Sequence, residues 1–294
     1  MLPRLVATDC DGTLLRSDGT VSERTRTVLA DVVAAGTDIM LVTARPPRWM
    51  PELADMLGID GAALCMNGAL RYDLRTGDLT CLAQIDEALG ARLVEDIRAE
   101  VPGVSFAVES IRGFAREPGF ERASGRHDGQ WHVAEGAAVV AEAAGKLLVR
   151  HQRMHVDDLH AAVSTVVGDR AEVSHSGATG LAEIGPKGVT KGTALAQVCA
   201  ASGIDASQVW AFGDMLNDLP MLRWAGRSFA VANAHAQVKA ACSDAAPAND
   251  EDSVAQVLAA AIAAARPGAT GPGTVEFGDI RLSGAGRTGP VPSP

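Results

Sequence analysis

Long apolar runs are missing from this chain. The longest, Val257 to Ala265, covers about half of the ~20 residues a bilayer crossing needs, so no membrane span is expected. Positive charge is also in deficit: 26 Lys and Arg face 36 Asp and Glu, a net charge of −10. Such a surface repels nucleic acid and anionic lipid, so neither is expected as a partner. The five cysteines (Cys10, Cys65, Cys81, Cys199, Cys242) are odd in number, scattered, and never spaced as C-x-x-C. That excludes a disulfide framework and a zinc knuckle, and points to a reducing, cytoplasmic setting. Met1 to Arg4 run almost directly into an apolar segment, so no secretory leader is expected. Walker-type phosphate loops and internal repeats are absent. Gly284-Ala285-Gly286-Arg287-Thr288-Gly289 fits G-x-G-x-x-G, but prolines follow where a phosphate-cradling helix would have to open.

What is present is enough apolar material, 47% of 294 residues, for one large core or two modest ones. Leu5 to Thr8 reads as a strand, and Val21 to Gly36 as a helix with Ser22 as its N-cap and Gly36 as its stop. Asp38 to Val42 repeats the strand signal and Pro46 to Gly58 the helical one; Ala62 to Met66 is a third strand. The same alternation returns from Lys191: a helix to Ser202, a strand at Gln208 to Phe212, a helix at Asp218 to Trp224, a strand at Ser228 to Val231. Alternation of this kind predicts a parallel α/β sheet assembled from both ends of the chain. The predicted core is therefore 1–83 with 183–265.

The block 84–182 has different contents, including six of the seven histidines: His127, His132, His151, His155, His160 and His175. Helices near Ala88 to Glu100 and Asp157 to Val167, with strands near Ser105 to Glu109, Lys146 to Arg150, Glu172 to His175 and Gly180 to Ile184, describe an inserted α+β cap. Residues 266–294, rich in Gly and Pro, lack the material to order a core and are expected to form a mobile tail.

Four places carry candidate chemistry. Asp9 and Asp11 flank Cys10 where the first strand ends, and side chains at i and i+2 of extended backbone point the same way. At the carboxyl edge of a parallel sheet, two such carboxylates call for Mg²⁺, a shared proton, or both; a simple Asp-Gly turn is the plain alternative. Thr43, with Ala44 and Arg45 behind it, offers a hydroxyl and backbone amides to a phosphate, or else caps a helix. Lys191 opens a helix, where the dipole disfavours a cation unless an anion is near; Lys187 competes for that role. After the strand Val209 to Phe212, Asp214, Asn217 and Asp218 place hard oxygen ligands suited to Mg²⁺ at the same edge, unless they only cap.

Asp9-Cys10-Asp11-Gly12-Thr13-Leu14-Leu15, Val42-Thr43-Ala44-Arg45, Gly188-Val189-Thr190-Lys191-Gly192 and Gly213-Asp214-Met215-Leu216-Asn217-Asp218 resemble, in order and spacing, the four motifs of the haloacid dehalogenase superfamily. Asn67-Gly68-Ala69, Glu183-Ile184, Ala232-Asn233-Ala234-His235 and Asn249-Asp250-Glu251-Asp252 bring the chain closer to the Cof-type branch, with its type IIB cap. The resemblance spans Arg4 to Ala265. It implies a Rossmann-like core and a Mg²⁺-dependent phosphatase acting on small phosphorylated metabolites, a sugar phosphate or phosphorylated cofactor, through an aspartyl phosphate. It casts Asp9 as nucleophile, Asp11 as general acid and base, and Thr43, Ala44 and Lys191 as phosphate holders, with Asn67 touching the phosphate. Asp9, Asp214 and Asp11, the last through its carbonyl, would hold the metal, steadied by Asn217 and Asp218. Ser253 departs from the family's usual glycine, and Val231-Ala232 from its methionine-glycine pair.

A phosphohexomutase of the same fold is the nearest alternative, and a non-catalytic phospho-binding module a more distant one. In the cap, Arg150, His151 and Arg153 are candidate substrate contacts, and Phe106, Phe114, Phe120 and Trp131 are either pocket or core. The sequence leaves open whether the protein forms a homo-oligomer.

Overall fold

The computed structural model describes residues 2–120 and 132–265. The 266–294 tail with its Gly284–Gly289 motif, together with His127 and Trp131, lies outside the described residues.

The first half of the core runs β1 (Leu5–Thr8), α1 (Glu23–Ala34), β2 (Asp38–Val42), α2 (Met50–Leu57) and β3 (Ala62–Cys65), then a hairpin of β4 (Leu70–Asp73) and β5 (Leu79–Cys81). A second group follows: α3 (Glu87–Glu100), β6 (Val104–Ser110), β7 (Gly113–Arg116), β8 (His132–Val133), β9 (Lys146–His151), α4 (Val156–Val167), β10 (Glu172–Ser174) and β11 (Leu181–Gly185). The chain then returns through α5 (Lys191–Ala201), β12 (Val209–Gly213), α6 (Leu219–Trp224), β13 (Arg227–Val231), α7 (Ala236–Ala241), β14 (Asp244–Ala246) and α8 (Ser253–Ala265).

Local chemistry sets the ends of these elements. The Ser22 hydroxyl accepts from the Thr25 amide to open α1, and Gly36 turns the chain at positive φ. Pro47 sits in a short turn of tighter helix before α2, which Gly58 ends in the left-handed conformation.

The strands form two sheets. The larger has the order β14-β13-β12-β1-β2-β3-β4-β5, parallel from β14 to β3 and antiparallel at the β4–β5 edge. The hairpin makes this sheet mixed where the sequence predicted only parallel strands; β14 and α7 were not predicted either. The smaller sheet has the order β10-β11-β9-β6-β7-β8 and is antiparallel except at β7–β8. Its strand β11 runs on to Gly185, so the smaller sheet extends past the predicted boundary after Ala182. Each sheet has its own apolar core. In the smaller one, Phe106, Val108, Leu147, Val149, Ala182 and Ile184 face α3 and α4.

Central β1 lies between β2 and β12, with Thr8 level with Leu41 on one side and Phe212 on the other. The chain therefore leaves three neighbouring parallel strands at one edge, where open α/β sheets bind ligands.

Candidate active site

Asp9 and Asp11 follow β1 at this edge, Thr43 follows β2, and Asp214 follows β12. Lys191 reaches them as the first residue of α5, behind the Thr190 N-cap, whose hydroxyl accepts from the Thr193 amide. Gly192 lets α5 close on α6: a Cβ there would stand 2.4 Å from the Pro220 carbonyl. Lys191 is 1% exposed, and its Nζ donates to Asp9 Oδ1 at 2.5 Å and Asp218 Oδ1 at 2.6 Å. These two carboxylates are the anions that a lysine at the positive end of a helix requires. Lys187, the competing cation, is exposed and pairs with Asp169 at 3.1 Å.

Asp218 is wholly buried, and its second oxygen accepts from the Asp214 and Met215 amides, both at 2.9 Å. Asp214 Oδ1 accepts from the Thr13 hydroxyl at 3.0 Å. Its Oδ2 lies above Gly12, a residue at φ +78° where a Cβ would come within 2.6 Å of that oxygen. Glycine at position 12 is required by both backbone conformation and space. One oxygen from each of Asp9, Asp214 and Asp218 lies within 4.8 Å of the others.

Charge is concentrated here beyond what Lys191 neutralises. Burial pushes the Asp9 carboxyl well above its ordinary range; Lys191 opposes this, and Asp218, Asp214 and Asp11 add to it. Asp214 is raised to about 7 by burial and then by Asp218, against the Thr13 hydrogen bond and Lys191. Buried hard-oxygen donors that resist ionising together suit a small divalent cation such as Mg²⁺. Asp218, expected only to steady the ligands, stands among the three converging carboxylates. The Asp11 carboxylate, whose residue was expected to reach the metal through its backbone carbonyl, is exposed at the cavity and accepts both Arg45 Nε at 2.7 Å and Nη2 at 2.6 Å. A bidentate guanidinium holds it there.

Asp9, Asp11, Ala44 and Asp214 line a cavity of about 490 Å³ between the two sheets. The roof comes from strand alternation: Lys146, Leu148 and Arg150 of β9 and Leu181 and Glu183 of β11 face the cavity. Lys146 Nζ donates to the Ala44 carbonyl and to Glu183, both at 2.7 Å. Arg48 pairs with Glu109 across the same gap.

Other predicted contacts are placed differently. Thr43 is buried, and its hydroxyl accepts from the Arg45 amide at 3.1 Å in a local turn; the helical turn that follows opens at Pro46, so Thr43 caps no helix. Asn67 does not line the cavity with Asp9; its amide donates to Glu183 at 3.0 Å and accepts from Asn217 at 3.1 Å, tying the two sheets together. Asn217 does line the cavity, but its amide nitrogen goes to Asn67. Arg150 lies over Phe120 and donates to the Thr179 carbonyl. His151 and Arg153 are not cavity residues: His151 Nδ1 accepts from the Arg153 and Met154 amides, a turn role. His155 caps α4. Phe106 is in the cap core, and Phe120 lines the cavity.

Sequence reasoning missed the roles of Arg45, Lys146 and Glu183. Lysine at the start of an apolar strand was the available signal for Lys146. The C-terminal loops also brace the nucleophile turn: Asn233 donates to the Gly12 carbonyl, Asn249 to Leu15, and Ser253 to Thr13. The hydroxyl of Ser253 thus finds a partner where the family's glycine has none to satisfy.

Residues 6–258 match the family model of haloacid dehalogenase-like hydrolases. The chain belongs to that family. Among curated relatives, this haloacid dehalogenase-like hydrolase is 26% identical over 244 residues to an HMP-PP phosphatase of Citrobacter koseri, covering 81% of this chain and 87% of the relative. It is 27% identical over 278 residues to the pyridoxal phosphate phosphatase YbhA of Escherichia coli K12, covering 88% and 98%. Among solved structures, the subclass IIB sugar phosphatase BT4131 superposes with a TM-score of 0.75 at 21% identity, covering 87% of this chain and 98% of that one. The hydrolase is therefore a phosphatase of the Cof type, with the larger sheet as its core and the smaller as its cap.

Proposed function

We propose that this protein is a Mg²⁺-dependent phosphatase that hydrolyses phosphate monoesters of small metabolites through an aspartyl phosphate on Asp9. One observation carries the reading: Asp9, Asp214 and Asp218 converge around buried Lys191, and Asp11 opens onto the same cavity. Asp9 and Asp214 would hold Mg²⁺, which supplies positive charge against the phosphate and the acidic cluster. Asp218 has both oxygens committed, to Lys191 and to backbone amides, so it acts chiefly by positioning.

The chain's own residues account for the two displacements. Lys191 holds Asp9 in place and offsets the charge of an arriving phosphate. An Asp9 oxygen bonds to phosphorus as the ester oxygen departs, and Asp11 gives that oxygen its proton. Asp11 then takes a proton from water, whose oxygen bonds to phosphorus and releases Asp9. The net change is hydrolysis, with both carboxyl groups restored. Arg45 must yield its hold on Asp11 for this exchange, and closure of the cap excludes bulk water. The test is Asp9→Asn: folded protein with phosphate release reduced to background supports the assignment, and substantial Mg²⁺-dependent turnover would defeat it.

A further inference from the structure

The loop after β2, Thr43 to Arg45, is held from two directions. Its Thr43 and Arg45 carbonyls accept from the Asn67 and Met66 amides of the loop after β3, each at 3.0 Å. The Ala44 carbonyl between them accepts from the cap, from Lys146 Nζ at 2.7 Å. Met66 and Asn67 supply their amides from left-handed backbone, at φ +52° and +57°. That conformation costs a non-glycine residue energy and persists only where the surroundings enforce it.

The cap meets both loops with two consecutive residues. Gly145, just before β9, lets the chain run against Met66, since a Cβ there would stand 2.5 Å from the Met66 sulfur. Lys146, 3% exposed, then reaches Ala44 while Glu183 pairs with its ammonium at 2.7 Å. Asn67 returns the connection by donating its side-chain amide to Glu183 at 3.0 Å. Thr43, Ala44, Lys146, Glu183 and Asn67 thus form a closed circuit of hydrogen bonds and backbone that crosses between core and cap twice. Lifting the cap opens the circuit at both crossings and takes the ammonium donor from the Ala44 carbonyl.

Resting on the phosphatase reading, we infer that Lys146 is a positioning residue: seated on Ala44, it makes the geometry of the phosphate loop depend on cap closure. It acts on the loop and not on the leaving group, so every substrate needs it alike, even one too small to touch the roof.

The experiment uses Lys146→Met/Glu183→Leu, which removes the pair without changing net charge or stranding a buried ion. Turnover is measured with Mg²⁺ on acetyl phosphate, too small to reach the roof, and on nitrophenyl phosphate. The expected fall in kcat/KM is about 10²-fold, the effect of an ångström-scale misplacement, and equal for the two. Hydrogen exchange at the Arg45, Met66 and Asn67 amides should quicken, while the Tm rise on adding magnesium persists. Full kcat/KM in the folded variant, or unchanged exchange at those amides, would overturn the inference by leaving the pair a merely structural one. A loss confined to nitrophenyl phosphate would overturn it by placing Lys146 against the leaving group, and loss of the magnesium response by placing the damage at the metal carboxylates. Should this variant not fold, Lys146→Met/Glu183→Gln, which keeps the bonds from Asn67 and Ser176, is read in the same way. Unmutated protein inactive on both substrates would overturn the phosphatase reading itself, and this inference with it.

Discussion

Lys191 Nζ lies 2.5 Å from Asp9 Oδ1 in a setting where both side chains are more than nine-tenths buried. The ammonium is the only protein cation within hydrogen-bonding distance of either Asp9 or Asp218 among the described residues. Lys191→Met should therefore cost about 3–5 kcal/mol of stability at neutral pH, because it strands buried carboxylates. The loss should shrink as the pH falls and the Asp9 carboxyl, held above its ordinary range by burial, takes up a proton. Thermal unfolding at about pH 5 and pH 8 measures it; equal losses at both would show that the charge is compensated elsewhere.

Stabilisation by Mg²⁺ should depend on pH. Asp9 and Asp214 sit above their ordinary range, Asp214 at about 7, so at lower pH the cation must displace protons that are absent at higher pH. The rise in Tm on adding magnesium is expected to grow between about pH 6 and pH 8. A flat profile would mean that these carboxyls do not receive the ion.

For Asp11→Asn the expected loss in kcat is about 10²–10⁴-fold, the range of a lost general acid and base. In single-turnover measurements of the first displacement, the loss should be smallest for nitrophenyl phosphate, whose leaving group departs without a proton. Equal losses for aryl and alkyl esters would contradict the assignment.

The cap's buried ion pair supplies a further measurement. Burial would raise the Glu183 carboxyl, but the Lys146 ammonium, with hydrogen bonds from Lys146, Ser176 and Asn67, outweighs it and holds the group below the usual carboxylate range. The folded value is thus lower than the unfolded one. The group's contribution to stability is complete above the unfolded value and disappears as the pH falls through the folded one. Lys146→Met should cost about 3–5 kcal/mol at neutral pH by leaving Glu183 unpaired, and pairing it with Glu183→Leu should recover most of that. Urea unfolding of the single and double variants decides.

Strands β1, β2, β3, β12 and β13 were legible because each is a short apolar run beside a turn signal, and Ser22 and Gly36 mark the ends of α1 in residues whose chemistry is local. The β4–β5 hairpin was not, since Leu70–Asp73 mixes Arg71 and Asp73 with apolar residues and is stabilised by pairing with β3. Asp9, Asp214 and Lys191 could be read from short motifs. The Arg45 clasp on Asp11 could not, because it joins the loops after two neighbouring strands; the turn of Asn67 toward Glu183 and the reach of Lys146 to Ala44 could not, because they depend on how the two sheets meet.

The hydrogen bond from Ser253 to the Thr13 carbonyl joins residues 240 positions apart. During synthesis, the turn that carries the nucleophile emerges among the first residues but lacks its last braces until nearly the whole described chain has left the ribosome. A nascent protein ending before Asn233 would carry its reactive aspartate on a turn without any of these three braces, so catalytic competence should arise late during translation.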